Sequence, residues 1–381
     1  MNRVDVQPAL FRWALERAGI DSVALQHRFQ KLPEWERGEA KPTLKQLEAF
    51  AKATHAPVGY FFLQRPPVEA VPIPDLRTVA SQGVTRPTPD LLDTLYLCQQ
   101  RQEYYRDFAR TVGEQPMAFV GSTSVSSSIP RTAEAIRTTL GFDLPARRRM
   151  RTWTDALRSF VDHVEALGVL VMISGIVGSN NKRKLNPQEF RGFALADDLA
   201  PLVFVNGADT KAAQMFTLAH ELAHLWLGET ALSDAGLRST PSQAVERWCN
   251  RVAAELLVPE AALRSEVRPI EDLEEALKRL SRLFKVSTLV VLRRMYDIGA
   301  LDQAEFGDAY RRELARLRSF NTGSGGDFYN TLGARVGKRF ARAVLVSTLE
   351  GRSSYTEAFQ LLGVRKLGTF NDLAQKLGVA A

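Results

Sequence analysis

At 381 residues and 42.4 kDa, with 45% hydrophobic and 24% charged residues, the chain has the size for two or three domains and the make-up of a soluble globular protein. It has neither an apolar run of about 18 residues nor a signal-peptide layout, and Cys98 and Cys249 build no disulfide framework. A membrane-embedded or disulfide-stapled protein is thereby excluded, and a reducing cytoplasm is expected. The net charge of +7 and pI of about 9.5 hint mildly at nucleic-acid contact and no more.

Residues 1–65 read as short helices. Leu10, Phe11, Ala14, Leu15 and Ala18 have helical spacing that Gly19 ends. Past Trp35-Glu36-Arg37-Gly38, Pro42-Thr43-Leu44-Lys45-Gln46 caps a helix carrying Leu44, Leu47, Phe50 and Ala51. The segment resembles an Xre-type helix-turn-helix. Trp35 comes only ten positions after Leu25, however, so the second and third helices of that module have little room. The shortening falls where a recognition helix would sit. The expectation is a degenerate module used for packing or partner contact, with any DNA binding weak or non-specific. Ten Lys/Arg against seven Asp/Glu give this segment a net of only +3.

Residues 66–89, with Pro66, Pro67, Pro72, Pro74, Pro87 and Pro89, lack periodicity and read as a linker. A helical connector follows at 90–152, with helices from Asp90 to Thr111 and Thr132 to Leu140 and a Ser/Thr/Gly-rich loop from Gly121 to Ser128 between them. Arg147-Arg148-Arg149 reads as a solvated charge run. From Trp153 a helix to Ala166 leads into Val169-Leu170-Val171-Met172-Ile173, a buried-strand pattern. Phe193-Ala194-Leu195 and Leu202-Val203-Phe204-Val205, joined through Asp197-Asp198, suggest a hairpin.

The stretch that organises the chain comes next. Phe216-Thr217-Leu218-Ala219-His220-Glu221-Leu222-Ala223-His224-Leu225-Trp226-Leu227-Gly228 contains H-E-x-x-H, which sets two imidazoles one helical turn apart on one face. Asp209 is placed to cap the helix and Gly228 to end it. Met215, Leu218, Ala219, Leu222, Leu225 and Trp226 form its apolar stripe, opposite His220, Glu221 and His224. Phe216 and Leu227 flank that trio, so it too is expected to be covered. Buried imidazoles of this kind need a partner, and a divalent metal is the obvious one: neutral imidazoles bind zinc, and three protein ligands leave a fourth position for water. Such an ion lowers a water's pKa, and Glu221 is placed to take the proton.

The third ligand must come from elsewhere. Thr240-Pro241-Ser242-Gln243 reads as the capped start of a helix running to Pro259, whose stripe includes Val245, Trp248, Cys249, Val252, Ala253 and Leu256. Glu246 and Glu255 lie on opposite flanks of that stripe, and spacing alone does not choose between them. Cys249 belongs to the stripe and reads as core.

His220-Glu221-Leu222-Ala223-His224, then Glu246-Arg247-Trp248-Cys249-Asn250 and Ala253-Ala254-Glu255-Leu256-Leu257-Val258-Pro259, together resemble the ImmA/IrrE family of bacterial metallopeptidases. Arg191-Gly192-Phe193-Ala194-Leu195 and Pro201-Leu202-Val203-Phe204-Val205-Asn206 extend the likeness, which covers roughly Trp153 to Leu301. The resemblance implies that Glu246 completes a His220, His224, Glu246 zinc site and that Glu255 is a surface or outer residue. It further implies a protein substrate, commonly a transcriptional repressor or an antitoxin, and Xre-type modules often precede such peptidases. Mn2+ or Fe2+ also suits this donor set. Neither Asn206 nor Arg191 is more than weakly indicated as an oxyanion stabiliser.

Downstream lie two helix-turn-helix patterns, Leu273 to Leu283 with Thr288 to Tyr296, and Tyr355 to Leu362 with Thr369 to Leu377. Each is read first as a packing unit and second as a DNA contact. From Arg316 to Ala381, ten Lys/Arg against four Asp/Glu give +6, so the basic excess sits chiefly in the tail. The expected fold is α+β and mostly helical, a zincin-like metallopeptidase core with a small β-sheet between helical ends. The expected domains are 1–65, 66–89, 90–152, 153–301 and 302–381. The expected function is a cytoplasmic zinc endopeptidase with Glu221 as general base. The rival is a DNA-binding regulator or antitoxin that keeps the metal fold without catalysis, which a fourth protein ligand would favour.

Overall fold

Capping side chains and left-handed glycines set most helix ends. The computed structural model describes residues 3–76, 87–233, 244–268, 270–319 and 328–379, with backbone only at 317–319 and 328–331. The chain forms two compact units, one of residues 1–72 and 79–95, the other of 73–78 and 96–381.

In the first unit α1 (Pro8–Ala18) stops at Gly19, whose φ of 63° suits a residue without Cβ. α2 (Ser22–Gln26) and α3 (Leu32–Arg37) are only five and six residues long, as the short Leu25–Trp35 spacing requires. Thr43 and Gln46 form the expected capping box of α4 (Leu44–Ala53). Phe11, Phe29, Trp35, Phe50 and Phe61 are buried together, with Phe50 edge-on to Phe11 at 5.4 Å and to Phe29 at 5.5 Å. Aromatic rings therefore supply much of the core that such short helices could not supply with aliphatic stripes.

The second unit takes in the rest of α5 (Pro89–Val112), then α6 (Ile129–Leu140), α7 (Leu144–Arg149) and α8 (Trp153–Ala166). Its sheet has the order β1-β3-β2-β4. β1 (Leu170–Ser174) runs parallel to β3 (Leu202–Asn206), and β2 (Gly192–Leu195) is antiparallel to both β3 and β4 (Ala231–Ser233). The hairpin expected from Asp197-Asp198 is thus present, with Phe193 opposite Phe204 and their rings stacked at 4.9 Å. Strand alternation divides the side chains: Val171, Ala194, Val203 and Val205 join the helices' apolar cluster. The linker expected at 66–89 is not unpaired throughout, because Asp75 bridges Leu232 of β4.

α9 (Lys211–Leu227) packs on β2 and β3 and against α10 (Ala244–Leu257). α11 (Glu260–Arg264), α12 (Leu273–Phe284), α13 (Thr288–Asp297) and α14 (Gln303–Ser319) follow, then α15 (Phe328–Val336), α16 (Lys338–Leu349), α17 (Tyr355–Leu362) and α18 (Leu367–Lys376). Both downstream helix pairs therefore form. α15 and α16 pack against β1, and Gly337 passes so close that a Cβ there would lie 2.7 Å from the Val171 carbonyl oxygen. The mostly helical α+β class is as expected, and among the described residues no helix is long and apolar enough to cross a membrane.

Candidate metal centre

α9 carries the centre's first three side chains. Its cap is Thr210, whose hydroxyl accepts from the Ala213 N–H at 3.2 Å, and not Asp209, whose carboxylate instead accepts from the Thr210 N–H at 2.8 Å. The one-residue shift reflects two adjacent side chains that can both cap. Gly228 ends the helix with φ 71°. The loop read as Ser/Thr/Gly-rich finishes the job: the Gly121 and Thr123 N–H groups donate to the Leu225 and Trp226 carbonyls. Every residue of α9 from Gln214 to Trp226 is buried, the polar face included.

α10 lies alongside and brings up Glu246; its expected cap at Thr240-Pro241-Ser242-Gln243 lies outside the described residues. At its other end Arg137 donates to the Glu255 carbonyl at 2.8 Å and Arg147 donates to that of Leu257. Of the expected solvated run Arg147-Arg148-Arg149, Arg149 is exposed and Arg148 half-buried, but Arg147 is not solvated. Arg147 is only 2% exposed, packed over Phe142, and burial brings its guanidinium down to about 9. A local charge pattern carries no record of which helix end will sit above it.

The structure brings His220, His224 and Glu246 together. The two Nε2 atoms are 3.2 Å apart, His224 Nε2 is 3.1 Å from Glu246 Oε1, and His220 Nε2 is 3.3 Å from Glu246 Oε2. Protons alone fit this triangle poorly, since two N–H groups aimed at one carboxylate leave the nitrogens facing each other. Donors held about 2.0–2.1 Å from one tetrahedral cation lie about 3.3 Å apart. The two nitrogens are at that spacing from each other and each from its nearer Glu246 oxygen, and one donor atom from each residue can be chosen so that all three lie within 4.8 Å of one another. Asn250 lies by His220 and acts on it as a hydrogen-bonding side chain, the kind of outer partner that orients a metal-binding imidazole, whereas His224 Nδ1 is buried without a partner among the described residues. The residues therefore fit a divalent ion. Among the described residues no further His, Cys, Asp or Glu joins the three, which leaves room for water.

Glu221 points elsewhere on the same helix. Its Oε2 accepts from the Ser233 hydroxyl at 3.2 Å, while its Oε1 is buried with no partner among the described residues. Burial pushes this carboxyl up to about 8, against the opposing pull of His220. Burial also acts to raise Glu246, but His220 and His224 outweigh it and hold that carboxylate down at about 2. For His220, burial acts to lower the pKa and Glu246 prevails in raising it; for His224, burial prevails and the pKa falls.

Sequence reading missed two residues here. Ser233 of β4 reaches Glu221 and lies 3.5 Å from His224 Nε2. Gly192 of β2 pairs with Ser233, and a Cβ on it would stand 2.9 Å from Glu221 Oε1 and 2.6 Å from Thr217 Cγ2. Glycine at the start of the expected strand was the available signal for a close approach. Glu255 is not at the surface: it is buried, paired with Arg294, and accepts from the Glu260 N–H at 3.2 Å. Asn206 is occupied structurally, donating to the Phe190 carbonyl at 3.1 Å and accepting from the Ala208 N–H at 3.0 Å. Arg191 lies 3.8 Å from Asp209.

Residues 164–296 match the family model Peptidase_M78, described as the IrrE N-terminal-like domain. Residues 336–376 match a second model, DUF8813, described only as a domain of unknown function. No curated protein matches the chain. The first match supports the ImmA/IrrE resemblance and, with it, a metallopeptidase-type domain in which the buried His220, His224 and Glu246 could hold a metal.

Proposed function

We propose that the chain is a cytoplasmic, zinc-dependent endopeptidase that cleaves a transcriptional repressor or an antitoxin and so controls gene expression. The observation that carries this reading is the buried cluster of His220, His224 and Glu246, whose ligand atoms lie within 4.8 Å of one another, beside a buried carboxylate that is not one of the three. A purely structural cation would have no use for that fourth group. His220, His224 and Glu246 would hold the ion, zinc by default, with manganese or iron also suited to the set. When bound, such an ion supplies Lewis acidity and brings the pKa of water towards neutrality.

The rest is done by the chain's own groups. Beside a divalent cation the ionised form of Glu221 would be favoured over the protonated form that burial alone favours. As the carboxylate it takes the proton from the water that attacks the peptide carbonyl, then carries it to the departing amine. Ser233 orients it through Oε2, which leaves Oε1, without a partner among the described residues, to meet the water. The bare position opposite, at Gly192, leaves space for that oxygen. Regulator or antitoxin as substrate rests on the family resemblance. Incubating the purified protein with the regulator or antitoxin encoded beside it should give discrete fragments that a chelator abolishes and zinc restores. An intact partner under all conditions would count against that substrate.

A further inference from the structure

Edge strands expose unpaired backbone groups, and an extended peptide is the natural thing to pair with them. β4 is an edge strand of the sheet, and its Ser233 touches both Glu221 and His224. Of its three residues, Leu232 is the one that turns its backbone groups away from β2. Both are taken. The Leu232 N–H donates to the Pro74 carbonyl at 2.9 Å, and the Leu76 N–H donates to the Leu232 carbonyl at 3.0 Å. Asp75 stands opposite Leu232 in parallel register, and Ile73 is buried just before it. Proline has no N–H, so Pro74 cannot extend the ladder along β4. The segment fills the edge with two hydrogen bonds and cannot add a third through Pro74. Among the described residues the contact is this pair of hydrogen bonds, small enough for another strand to replace.

We propose that residues 74–76 are an internal strap, which occupies on β4 the place that a substrate main chain would take beside the metal centre. This rests on the peptidase reading for what the substrate is, but not for whether the edge is occupied. The strap keeps extended polypeptide away from Glu221 until it is displaced.

Two variants release the strap independently. Leu76→Pro removes the N–H donated to Leu232, and Ile73→Ser removes the buried side chain beside it. Each is made with Glu221 intact and again with Glu221→Gln. Denatured fluorescein-labelled casein is the probe. Amide exchange at Leu232 reports occupancy of the edge, and should speed up about tenfold, the equivalent of one lost hydrogen bond. In the Glu221→Gln background, casein anisotropy should show binding tightened by about tenfold as the competent fraction rises. With Glu221 intact, casein cleavage should rise in step. Faster Leu232 exchange with unchanged casein binding would overturn the strap, as would a Leu232 amide that already exchanges freely in the unaltered protein. Tighter binding without cleavage would leave the strap standing and remove the peptidase reading. Equal cleavage by the unaltered protein and both variants would do the reverse.

Discussion

Glu246 and Glu255 share α10 and are both buried carboxylates, yet they face different partners. Glu246 faces two imidazoles, whereas Glu255 faces the Arg294 guanidinium, whose own pKa burial lowers. Glu255→Ala strands a buried cation and should cost about 3–5 kcal/mol of stability while leaving the metal content unchanged. Glu246→Ala should strip the metal. Metal per chain and the urea midpoint, measured on both variants, separate the two; metal loss from the Glu255 variant would contradict the assignment. A second acid gives a pH signature. Burial pushes Glu165 up to about 7, although the Arg339 N–H donates to it. Unfolded, it titrates near about 4.3. Between those values the folded chain keeps a proton that the unfolded chain has lost, so stability falls as pH rises through the window and levels off above it. Relative to Glu165→Gln, the protein should lose roughly 3 kcal/mol from pH about 4 to about 8. A flat difference across that range would show that this carboxyl ionises normally. At this scale the H-E-x-x-H spacing was legible because it is local. Ser233 and Arg147 were not, because their roles depend on a strand register and a helix end distant in the chain.

Short elements limit what the N-terminal unit can do. α3 has only six residues, and two of them, Glu34 and Glu36, are acids. Glu36 is further engaged by the Ser22 hydroxyl at 2.7 Å. A helix this short and acidic is ill suited to lie against phosphates and read bases. The full chain should therefore bind unrelated duplexes with similar, weak affinity that falls steeply between about 50 and 200 mM salt. A tight complex with one sequence, insensitive to salt, would reverse this view of α3. Element ends were readable at several places where a cap or a left-handed glycine marked them, as at Gly19, Thr43 and Gly363, while at α9 two adjacent capping residues shifted the start by one. β4 carried no such marker: three residues give too little alternation to be seen as a strand. The strand places Ser233 and carries the edge that residues 74–76 fill, so missing it hid both.

For the molecule as a whole, the sheet is what turns separate motifs into one centre. β2 and β3 support α9, β4 supplies Ser233, and α10 closes the site with Glu246. The C-terminal helices pack against β1, which ties the tail to the same sheet through Gly337. Order and class were legible from hydrophobic periodicity, whereas pairings between distant segments were not, because they are settled by burial in three dimensions. In the proposed chemistry Glu221 acts as the general base beside a metal that other residues hold. Glu221→Gln keeps the size and the hydrogen bond from Ser233 but removes the charge and the basicity. The decisive measurement is cleavage of the cognate regulator or antitoxin by this variant, with its metal content determined on the same sample. Metal and fold should be retained and cleavage should fall by roughly two to four orders of magnitude. Cleavage at the unaltered rate by a metal-loaded Gln variant would contradict the account.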